Sequence, residues 1–241
     1  VFQALSTLQE SADRAYNRAM RLVVDLHIHS RYSLATSTKL TPPRLDRWAR
    51  IKGIDLLGTG DCTHPAWLAE LADQLEPSGE GLFALKTEMR KGFDRDAALA
   101  EGLPELDEMG AEREPSFVLT GEVCTIFSRG GKTRKVHHLV ILPDFRSAAA
   151  FQTRLARVGK IESDGRPILG LDSRDLFEML LDADDRSILV PAHIWTPWFS
   201  LLGSKSGFDR VDECFEDLSS HIFALETGLS SDPPMNWRVS D

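Results

Sequence analysis

The sequence predicts an α/β fold in which parallel strands are joined by crossover helices and closed into a barrel. Apolar, β-rich runs alternate along the chain with helix-like or polar stretches, which is the pattern of strands connected by helices. The runs are uniformly apolar, so both faces of each strand are expected to be buried, as they are when helices cover the outside of a barrel. Catalytic side chains should then lie at the carboxyl ends of the strands.

The elements are predicted in chain order. Residues 1–20 are predicted to form a helical N-terminal extension, with Met20 as the natural start, and the domain is assigned to residues 21–241. Strands are predicted at 22–28, 54–60, 116–127, 136–142, 187–192 and 221–226, and helices at 43–52, 65–75 and 173–183. Residues 76–114 show no periodicity and are predicted to be a long insertion over one face.

Composition indicates an ordinary globular protein. The chain has 241 residues, of which 42% are hydrophobic and 27% charged, so one sizeable core is expected. No apolar run reaches the roughly 20 residues needed to cross a bilayer, and no signal peptide is recognisable. We therefore expect a cytoplasmic protein with no membrane partner, and no oligomer is indicated. The cysteines Cys62, Cys124 and Cys214 are far apart in the sequence, which predicts reduced thiols rather than a disulfide framework or zinc knuckle.

Charge argues against a nucleic-acid partner, although not decisively. The net charge is −9, and an excess of acidic groups repels phosphate. The argument weakens if carboxylates bind metal ions, and one local stretch is basic, with Arg129, Lys132, Arg134 and Lys135.

The segment Asp25-Leu26-His27-Ile28-His29-Ser30 carries the best metal signal. Alternate residues of a strand point to the same side, so His27 and His29 are expected to project together toward one ion. Taken alone, the pair could also be two ordinary, partly exposed histidines on a strand.

Other predicted strand ends also finish in residues that bind metals. Each of these residues is commonly structural, but together they have the arrangement that a site for several metal ions requires. They are Asp61, His64, Glu122, the pair His137 and His138, and His193.

These segments resemble the polymerase-and-histidinol-phosphatase (PHP) superfamily. DLHIHS, LLGTGD, Gly121-Glu122-Val123, HHL and Pro191-Ala192-His193 are similar to its successive metal-binding motifs. Within it, IKGIDLLGTGDCTHPAW, PAHIWTPWFSLLGSKSGFD and ALETGLSSDPPMNW resemble the endonuclease Q family. The resemblance implies a distorted seven-stranded (β/α) barrel that holds two or three metal ions, with zinc as the expected ion and Mg²⁺ or Mn²⁺ as alternatives in activity.

The resemblance also implies which residues bind the metal ions. The implied ligands are His27, His29, Asp61, His64, Glu122, one of His137 and His138, and His193. Glu122 is a candidate bridge, since one carboxylate can give an oxygen to each of two ions.

Two positions depart from the family pattern. Cys62 stands where many members have a histidine, so His64 is expected to replace it as a ligand. The final Ser-Asp-Ala-His segment has no counterpart before Asp241, and Asp232 is not a convincing substitute. We therefore expect a barrel that is incomplete at its C-terminal end and a chain of reduced activity.

Several residues near the predicted metal ligands suggest a polymer as substrate. Trp195, Trp198 and Phe199 could stack on an extruded base, or they could be packing at the rim of the barrel. Lys205 and Ser206 could hold a phosphate.

Asp172 also has two interpretations. An aspartate before a helical run favours a helix cap, or Asp172 could be a catalytic acid that orients the attacking water.

The activity implied by the resemblance is metal-assisted hydrolysis of damaged DNA, 5′ to uracil, hypoxanthine or an abasic site. Base extrusion fits such substrates because damaged bases are easier to unstack. Two alternatives stay open: a small-molecule phosphatase of the same superfamily, acting on a substrate such as histidinol phosphate, and a catalytically incomplete fragment that binds only metal or DNA. A deep, narrow active site would favour the phosphatase, and an open groove flanked by Trp195, Trp198 and Lys205 would favour DNA.

Overall fold

The computed structural model shows a mixed α/β fold built on one curled, half-barrel sheet. It describes residues 22–34, 36–93, 95–100, 102–106, 110, 112–227 and 232–239. The predicted N-terminal extension, including Met20, lies outside these residues. No helix among the described residues is both long enough and apolar enough to span a membrane.

Eight strands and their helices are found in the described part of the chain. The strands are β1 (Val24–Asp25), β2 (Leu56–Gly58), β3 (Leu75–Gly79), β4 (Leu82–Leu85), β5 (Ser116–Arg129), β6 (Lys132–Leu142), β7 (Ile168–Leu169) and β8 (Ile188–Pro191). The helices are α1 (Pro42–Lys52), α2 (Pro65–Gln74), α3 (Thr87–Gly92), α4 (Arg95–Ala100), α5 (Phe145–Leu155), α6 (Ser173–Ala183), α7 (Val211–Phe215) and α8 (Asp232–Val239), with a 3₁₀ helix at Glu216–His221. The expected count of seven strands and the expected incomplete barrel stay predictions.

The sheet is mixed, so the expectation of parallel strands throughout was wrong. Strands β1, β2, β5 and β7 are parallel to their neighbours in this group, whereas β6 is antiparallel to both β5 and β8. The change of direction occurs at Gly130 and Gly131, both of which have positive φ angles. Two such residues between two strands form the tight turn of a hairpin, and a hairpin can join only antiparallel strands.

Two further predictions need correction. The predicted insertion contains a hairpin, β3 and β4, which joins the sheet through β4 and β5. The predicted strand at 221–226 is instead the end of the 3₁₀ helix followed by irregular chain. Glu226 makes two isolated backbone hydrogen bonds, with Pro191 and Ile194, which hold it beside the end of β8 without forming a ladder.

Several helices contact the strands of the sheet, and their ends follow local sequence signals. The α1 helix ends at Gly53, whose φ of 72° provides a left-handed cap of the kind that glycine favours. The α2, α5 and α6 helices pack in series over a core that includes the fully buried Trp67, Phe151 and Phe177. The Trp67 indole N–H donates to the carbonyl of Gly60 at 2.8 Å, so the core also fixes the turn after β2.

Candidate metal centre

Glu122 lies at the centre of a cluster of histidines. It is on β5 and is only 1% exposed. Its Oε1 lies 2.7 Å from His137 Nδ1 and 3.3 Å from His193 Nε2. Its Oε2 lies 3.5 Å from His27 Nε2 and 3.3 Å from His29 Nε2. The two oxygens of one buried carboxylate therefore face two different pairs of imidazoles.

The first potential ligand group is His27, His29 and Glu122, whose ligand atoms all lie within 4.8 Å of one another. His27 and His29 follow β1, and their ring centroids are 5.8 Å apart. The two side chains project together, as the alternation of an extended chain requires. The sequence prediction for the relative placement of these two histidines agrees with this geometry.

The second potential ligand group is Glu122, His137 and His193, whose ligand atoms also lie within 4.8 Å of one another. In the β5–β6 ladder, Glu122 is opposite Leu139 and Cys124 is opposite His137. Since residues two apart on a strand share a face, His137 and Glu122 are diagonal neighbours on one face of the sheet. His193 follows β8 with a φ of 31°, which turns its ring toward the same carboxylate.

The donor set fits two metal ions that share Glu122. Each group offers two imidazole nitrogens and a carboxylate oxygen, which is the ligand type that suits zinc and several other divalent transition metals. Three protein ligands for each ion also leave positions free, as catalytic sites require. No third group of this kind is found among the described residues, and the expectation of two or three ions stays a prediction.

Asp61 lies behind His29 and orients it. Asp61 is fully buried, and its Oδ1 accepts a hydrogen bond from His29 Nδ1 at 3.0 Å. Its Oδ2 accepts from the backbone N–H and the hydroxyl of Ser30, both at 2.7 Å, and from the hydroxyl of Ser33 at 2.9 Å. These contacts occupy both oxygens, so the geometry places Asp61 beside the predicted site as an orienting group rather than within either ligand group.

Glu226 plays the same part behind His27, and the sequence analysis did not single it out. His27 Nδ1 donates to Glu226 Oε1 at 2.8 Å, and the backbone N–H of His193 donates to Glu226 Oε2 at 2.7 Å. One carboxylate thus contacts a histidine from each ligand group. The available signal was its position at the end of the predicted strand at 221–226.

The electrostatics of the cluster follow from these contacts. Burial would raise the pKa of Glu122, but hydrogen bonds from the four surrounding histidines outweigh it and hold the pKa well below its usual range. Burial would lower the pKa of His27, but Glu122 and Glu226 raise it to about 10. Asp61 and Glu122 raise the pKa of His29 to about 9. In the metal-free protein the two rings of the first group therefore hold protons that compete with metal ions.

His138 is separated from the cluster by the alternation of β6. It is opposite Val123 and fully buried, and its Nε2 lies 2.9 Å from the Ser173 hydroxyl and 3.2 Å from the Thr125 hydroxyl. Burial lowers the pKa of His138 to about 3. Of the two adjacent histidines, His137 is the one that the fold brings to Glu122.

His64 also lies outside both groups. Its Nδ1 accepts a hydrogen bond from the backbone N–H of Trp67 as the cap of α2, and its Nε2 lies 3.2 Å from the carbonyl of Glu162. Its ring stacks on Tyr32. With both ring nitrogens engaged, His64 has the contacts of a structural residue, and Cys62 is buried in the core.

Asp172 has the geometry of a helix cap. Its carboxylate accepts from the backbone N–H of Arg174 at 2.9 Å and pairs with Arg129 at 2.6 Å. Of its two interpretations, these contacts favour the cap.

The two predicted tryptophans differ in position. Trp195 packs against the core, and its indole N–H donates to Asn236 at 2.7 Å, so its polar edge is engaged. Trp198 is 51% exposed. Of these two tryptophans, Trp198 is the one that presents a large exposed aromatic surface.

Ser206 and Lys205 differ in exposure, and their predicted role in phosphate binding stays a prediction. Ser206 is 2% exposed, and its hydroxyl accepts from the Phe199 N–H at 3.0 Å and donates to the Lys135 carbonyl at 3.1 Å. It therefore ties the loop after β8 to β6. Lys205 is exposed at the surface.

Arg166 reaches the centre without having been predicted. Its guanidinium donates to Glu122 Oε2 at 3.3 Å, and its side chain is 38% exposed. It precedes β7 in a loop with no strong sequence pattern, so only the pairing of β7 with β5 brings it here.

Comparison with known sequences finds relatives over most of the chain. No protein-family model matches it. An uncharacterized protein of Methanocaldococcus jannaschii is 26% identical over 189 residues, covering 78% of this chain and 18% of that protein. The uncharacterized protein YqxK of Bacillus subtilis is 29% identical over 234 residues, covering 91% of this chain and 51% of that protein. The chain thus spans about half or less of these relatives.

Comparison with solved structures finds similar folds. The lesion-specific endonuclease Q of Pyrococcus furiosus has a TM-score of 0.65 and 32% identity, covering 89% of this chain and 44% of that one. Endonuclease Q in complex with duplex DNA that carries an abasic lesion at the active site has a TM-score of 0.64 and 33% identity, covering 88% of this chain and 44% of that one. A Bifidobacterium adolescentis protein assigned as a metal-dependent phosphoesterase has a TM-score of 0.50 and 12% identity, covering 91% of this chain and 82% of that one, which is a likeness of fold alone.

Proposed function

Because this chain is related to endonuclease Q within the PHP superfamily, we propose that it carries the metal centre of a DNA endonuclease that hydrolyses a phosphodiester 5′ to a deaminated base or an abasic site. The chain spans 44% of the endonuclease Q structures it matches. The proposal therefore assigns the metal-dependent hydrolysis to this part of the protein.

The observation that carries the proposal is the position of Glu122 between two ligand groups. His27 and His29 would hold one ion and His137 and His193 the other, with Glu122 shared between them. When bound, such ions supply Lewis acidity to a phosphoryl group and lower the pKa of a water molecule.

The surrounding carboxylates orient the histidine rings for this role. Hydrogen bonds from His27 Nδ1 to Glu226 and from His29 Nδ1 to Asp61 keep a proton on each Nδ1, so Nε2, the atom that faces Glu122, is the nitrogen whose proton a metal ion would displace. Fixing the tautomer in this way is how outer carboxylates support metal-binding histidines.

The position of Arg166 favours a substrate that carries a negative charge. Arginine does not bind metal ions and is repelled by them, so a guanidinium beside a pair of ions is stable when an anion lies between. Its planar donor set matches phosphate, and its exposed fraction of 38% leaves it open to solvent. We assign Arg166 to the non-bridging oxygens of the scissile phosphate.

The test combines metal analysis with an assay of DNA nicking. Purified protein is analysed for bound metal and then incubated with zinc, manganese or magnesium and duplex DNA carrying uracil, hypoxanthine or an abasic site. We expect bound metal ions and a nick 5′ to the lesion. His27→Ala and Glu122→Ala should each lower the nicking rate by at least about 100-fold, while the exposed His221 serves as the control with His221→Ala.

The outcomes separate the proposal from its alternatives. Hydrolysis of histidinol phosphate without nicking would replace the endonuclease with a small-molecule phosphatase. Metal binding without hydrolysis of DNA, histidinol phosphate or bis(p-nitrophenyl) phosphate would indicate a part of the protein that binds metal but is catalytically incomplete.

A further inference from the structure

A short segment before β7, residues 162–166, packs against two loops that border the metal centre. We call this segment the arginine strap, because it ends at Arg166. The Arg166 guanidinium lies 3.3 Å from Glu122 Oε2, and its side chain is 38% exposed. A long and partly exposed arginine side chain has many rotamers. Its place beside Glu122 therefore depends on how firmly the backbone of the strap is held.

Asp164 fastens the strap to the loop that follows His29. Its Oδ1 accepts a hydrogen bond from the backbone N–H of Arg166 at 3.1 Å and another from the backbone N–H of Leu34 at 3.3 Å. An aspartate that accepts from the backbone two residues further on closes a tight turn. This turn sets the direction in which the chain presents the Arg166 side chain.

Gly165 lets the strap approach the carboxylate that orients His29. Its backbone N–H donates to the Tyr32 carbonyl at 2.9 Å. A Cβ at this position would lie 2.2 Å from Asp61 Oδ2 and 2.4 Å from the Ser33 hydroxyl, and glycine is the residue that permits such a close approach of the backbone. The strap is therefore packed directly against Asp61.

His64 fastens the beginning of the strap. Its Nδ1 accepts from the backbone N–H of Trp67 at 3.4 Å, and a ring whose Nδ1 accepts carries its proton on Nε2. Nε2 lies 3.2 Å from the Glu162 carbonyl, to which it donates. His64 is 6% exposed, and its ring stacks on Tyr32 with the centroids 4.4 Å apart. One buried histidine thus joins the strap to the first turn of α2.

The sheet holds the chain on the other side of Arg166. The Pro167 carbonyl accepts from the Cys124 N–H at 2.9 Å, and β7 then pairs with β5. Cys124 and Glu122 are two residues apart on β5. Arg166 is therefore anchored on one side to the strand that carries Glu122 and on the other side, through the strap, to the loops beside the first ligand group.

Building on the proposed function, we propose that Asp164 and His64 are positioning residues, which hold the arginine strap so that Arg166 meets a phosphate group bound at the metal centre. Both act through the backbone of the strap rather than on the substrate. Two bound cations repel a guanidinium, so an unrestrained Arg166 would turn toward solvent whenever no anion is bound. A strap that is fixed in advance removes part of the ordering cost of phosphate binding.

The first experiment measures the binding of inorganic phosphate, which does not depend on hydrolysis. Protein loaded with zinc and freed of excess metal is titrated with phosphate in a calorimeter. Arg166→Ala should lower phosphate affinity by about 10- to 100-fold, since a charge-assisted hydrogen-bonded pair is lost. Asp164→Ala should lower it by about three- to tenfold, because the guanidinium is kept but misplaced. The control is Asp185→Ala, at an exposed aspartate.

Two further variants separate positioning from a loss of charge or of stability. Asp164→Asn removes the charge but keeps an oxygen that accepts from the backbone, so its phosphate affinity should stay within about twofold of the wild type. In the Arg166→Ala background, Asp164→Ala should change phosphate affinity by less than about twofold, because no guanidinium is left to position. An equal loss in both backgrounds, or equal losses in Asp164→Asn and Asp164→Ala, would overturn the role of Asp164.

His64→Asn tests the second positioning residue. Asparagine can still cap α2 but is too short to reach the Glu162 carbonyl, so phosphate affinity should fall a few-fold while the zinc content stays that of the wild type. His221→Asn, at an exposed histidine, should change neither. Unchanged phosphate affinity in His64→Asn would remove His64 from the proposal, and loss of a bound zinc ion would make it a metal ligand instead.

Phosphate binding and hydrolysis together distinguish this proposal from the proposed function. If the zinc-loaded wild type shows these dependences but hydrolyses neither DNA nor bis(p-nitrophenyl) phosphate, the positioning role stands and the proposed function fails. If the wild type nicks lesion-bearing DNA and Asp164→Ala binds phosphate as tightly as the wild type, the positioning role is refuted and the proposed function stands. Absence of phosphate binding by the zinc-loaded wild type also refutes the positioning role.

Discussion

Replacing Asp61 with asparagine should weaken metal binding even though the side chain keeps its shape. Asp61 accepts four hydrogen bonds, one from His29 on Oδ1 and three from Ser30 and Ser33 on Oδ2. The asparagine amide must place its NH₂ group at one of these two positions. At either position the NH₂ group replaces an oxygen that accepts a hydrogen bond, so at least one hydrogen bond is lost.

The consequence differs between the two orientations. If the NH₂ group faces His29, the ring nitrogen Nδ1 must accept instead of donate, so the proton moves to Nε2 and blocks the atom that faces Glu122. If the NH₂ group faces Ser30, it opposes the backbone N–H of Ser30, which lies 2.7 Å from Oδ2. That N–H is a donor and cannot accept a hydrogen bond instead. A buried donor left without an acceptor costs about 1–3 kcal/mol of stability.

The expected loss in metal affinity is about 10- to 100-fold, as is usual when an outer carboxylate is changed, or roughly 1.4–2.7 kcal/mol. Zinc affinity is measured by competition with a chromogenic chelator, and thermal unfolding is followed on the metal-free protein. Asp73→Asn, at an exposed aspartate, is the matched control. Saturating zinc should still fill Asp61→Asn to the wild-type stoichiometry, because Asp61 lies outside both ligand groups.

Two results would refute this reasoning. Wild-type affinity and stability in Asp61→Asn would show that the orienting hydrogen bond is unimportant. Loss of one bound ion at saturation would instead make Asp61 a direct ligand, as the family resemblance implied.

Glu226→Gln should lower zinc affinity only a few-fold, because an amide oxygen at the Oε2 position can accept both from His27 Nδ1 at 2.9 Å and from the backbone N–H of His193. Glu226→Leu should lower zinc affinity by about 10- to 100-fold. Equal effects of the two variants would contradict the orienting role of Glu226. Zinc affinity should rise with pH between about pH 6 and pH 8, by up to about tenfold per pH unit for each proton displaced, since the histidines of the first ligand group have pKa values raised to about 10 and about 9. Calorimetry in buffers of different ionisation enthalpy should detect the released protons, and a pH-independent affinity would argue against displacement. Gly165→Ala should lower zinc affinity about tenfold, because its Cβ would lie 2.2 Å from Asp61 Oδ2. The control is Gly92→Ala, where a Cβ meets nothing within 4 Å. Equal zinc affinities of the two variants would show that the loop around Gly165 moves away from Asp61 freely.

Local signals in the sequence were sufficient to predict several elements and one pair of histidines that project together. The helices at Pro42–Lys52, Pro65–Gln74 and Ser173–Ala183 agree with their predicted bounds, since caps, prolines and glycines act on their immediate neighbours. His27 and His29 could be paired for the same reason, because alternation along an extended chain is a local property.

The long β5–β6 hairpin was the largest error in the predicted fold. Its Gly130-Gly131 turn is a recognisable signal, but the general pattern of alternating apolar and helical segments outweighed it. Because β6 runs antiparallel to β5, the chain passes the metal centre in opposite directions on these two strands.

The sequence by itself therefore determined which side chains can bind a metal and which of them share a face within one strand. Only the tertiary structure decided that His137 rather than His138 faces Glu122, since a shift of one residue in the pairing of β5 with β6 would exchange the two faces. It also brought Glu226 to His27, which is 199 residues away, and Arg166 to Glu122, which is 44 residues away. Contacts of this kind depend on how distant strands pair, and no local pattern in the chain contains that information.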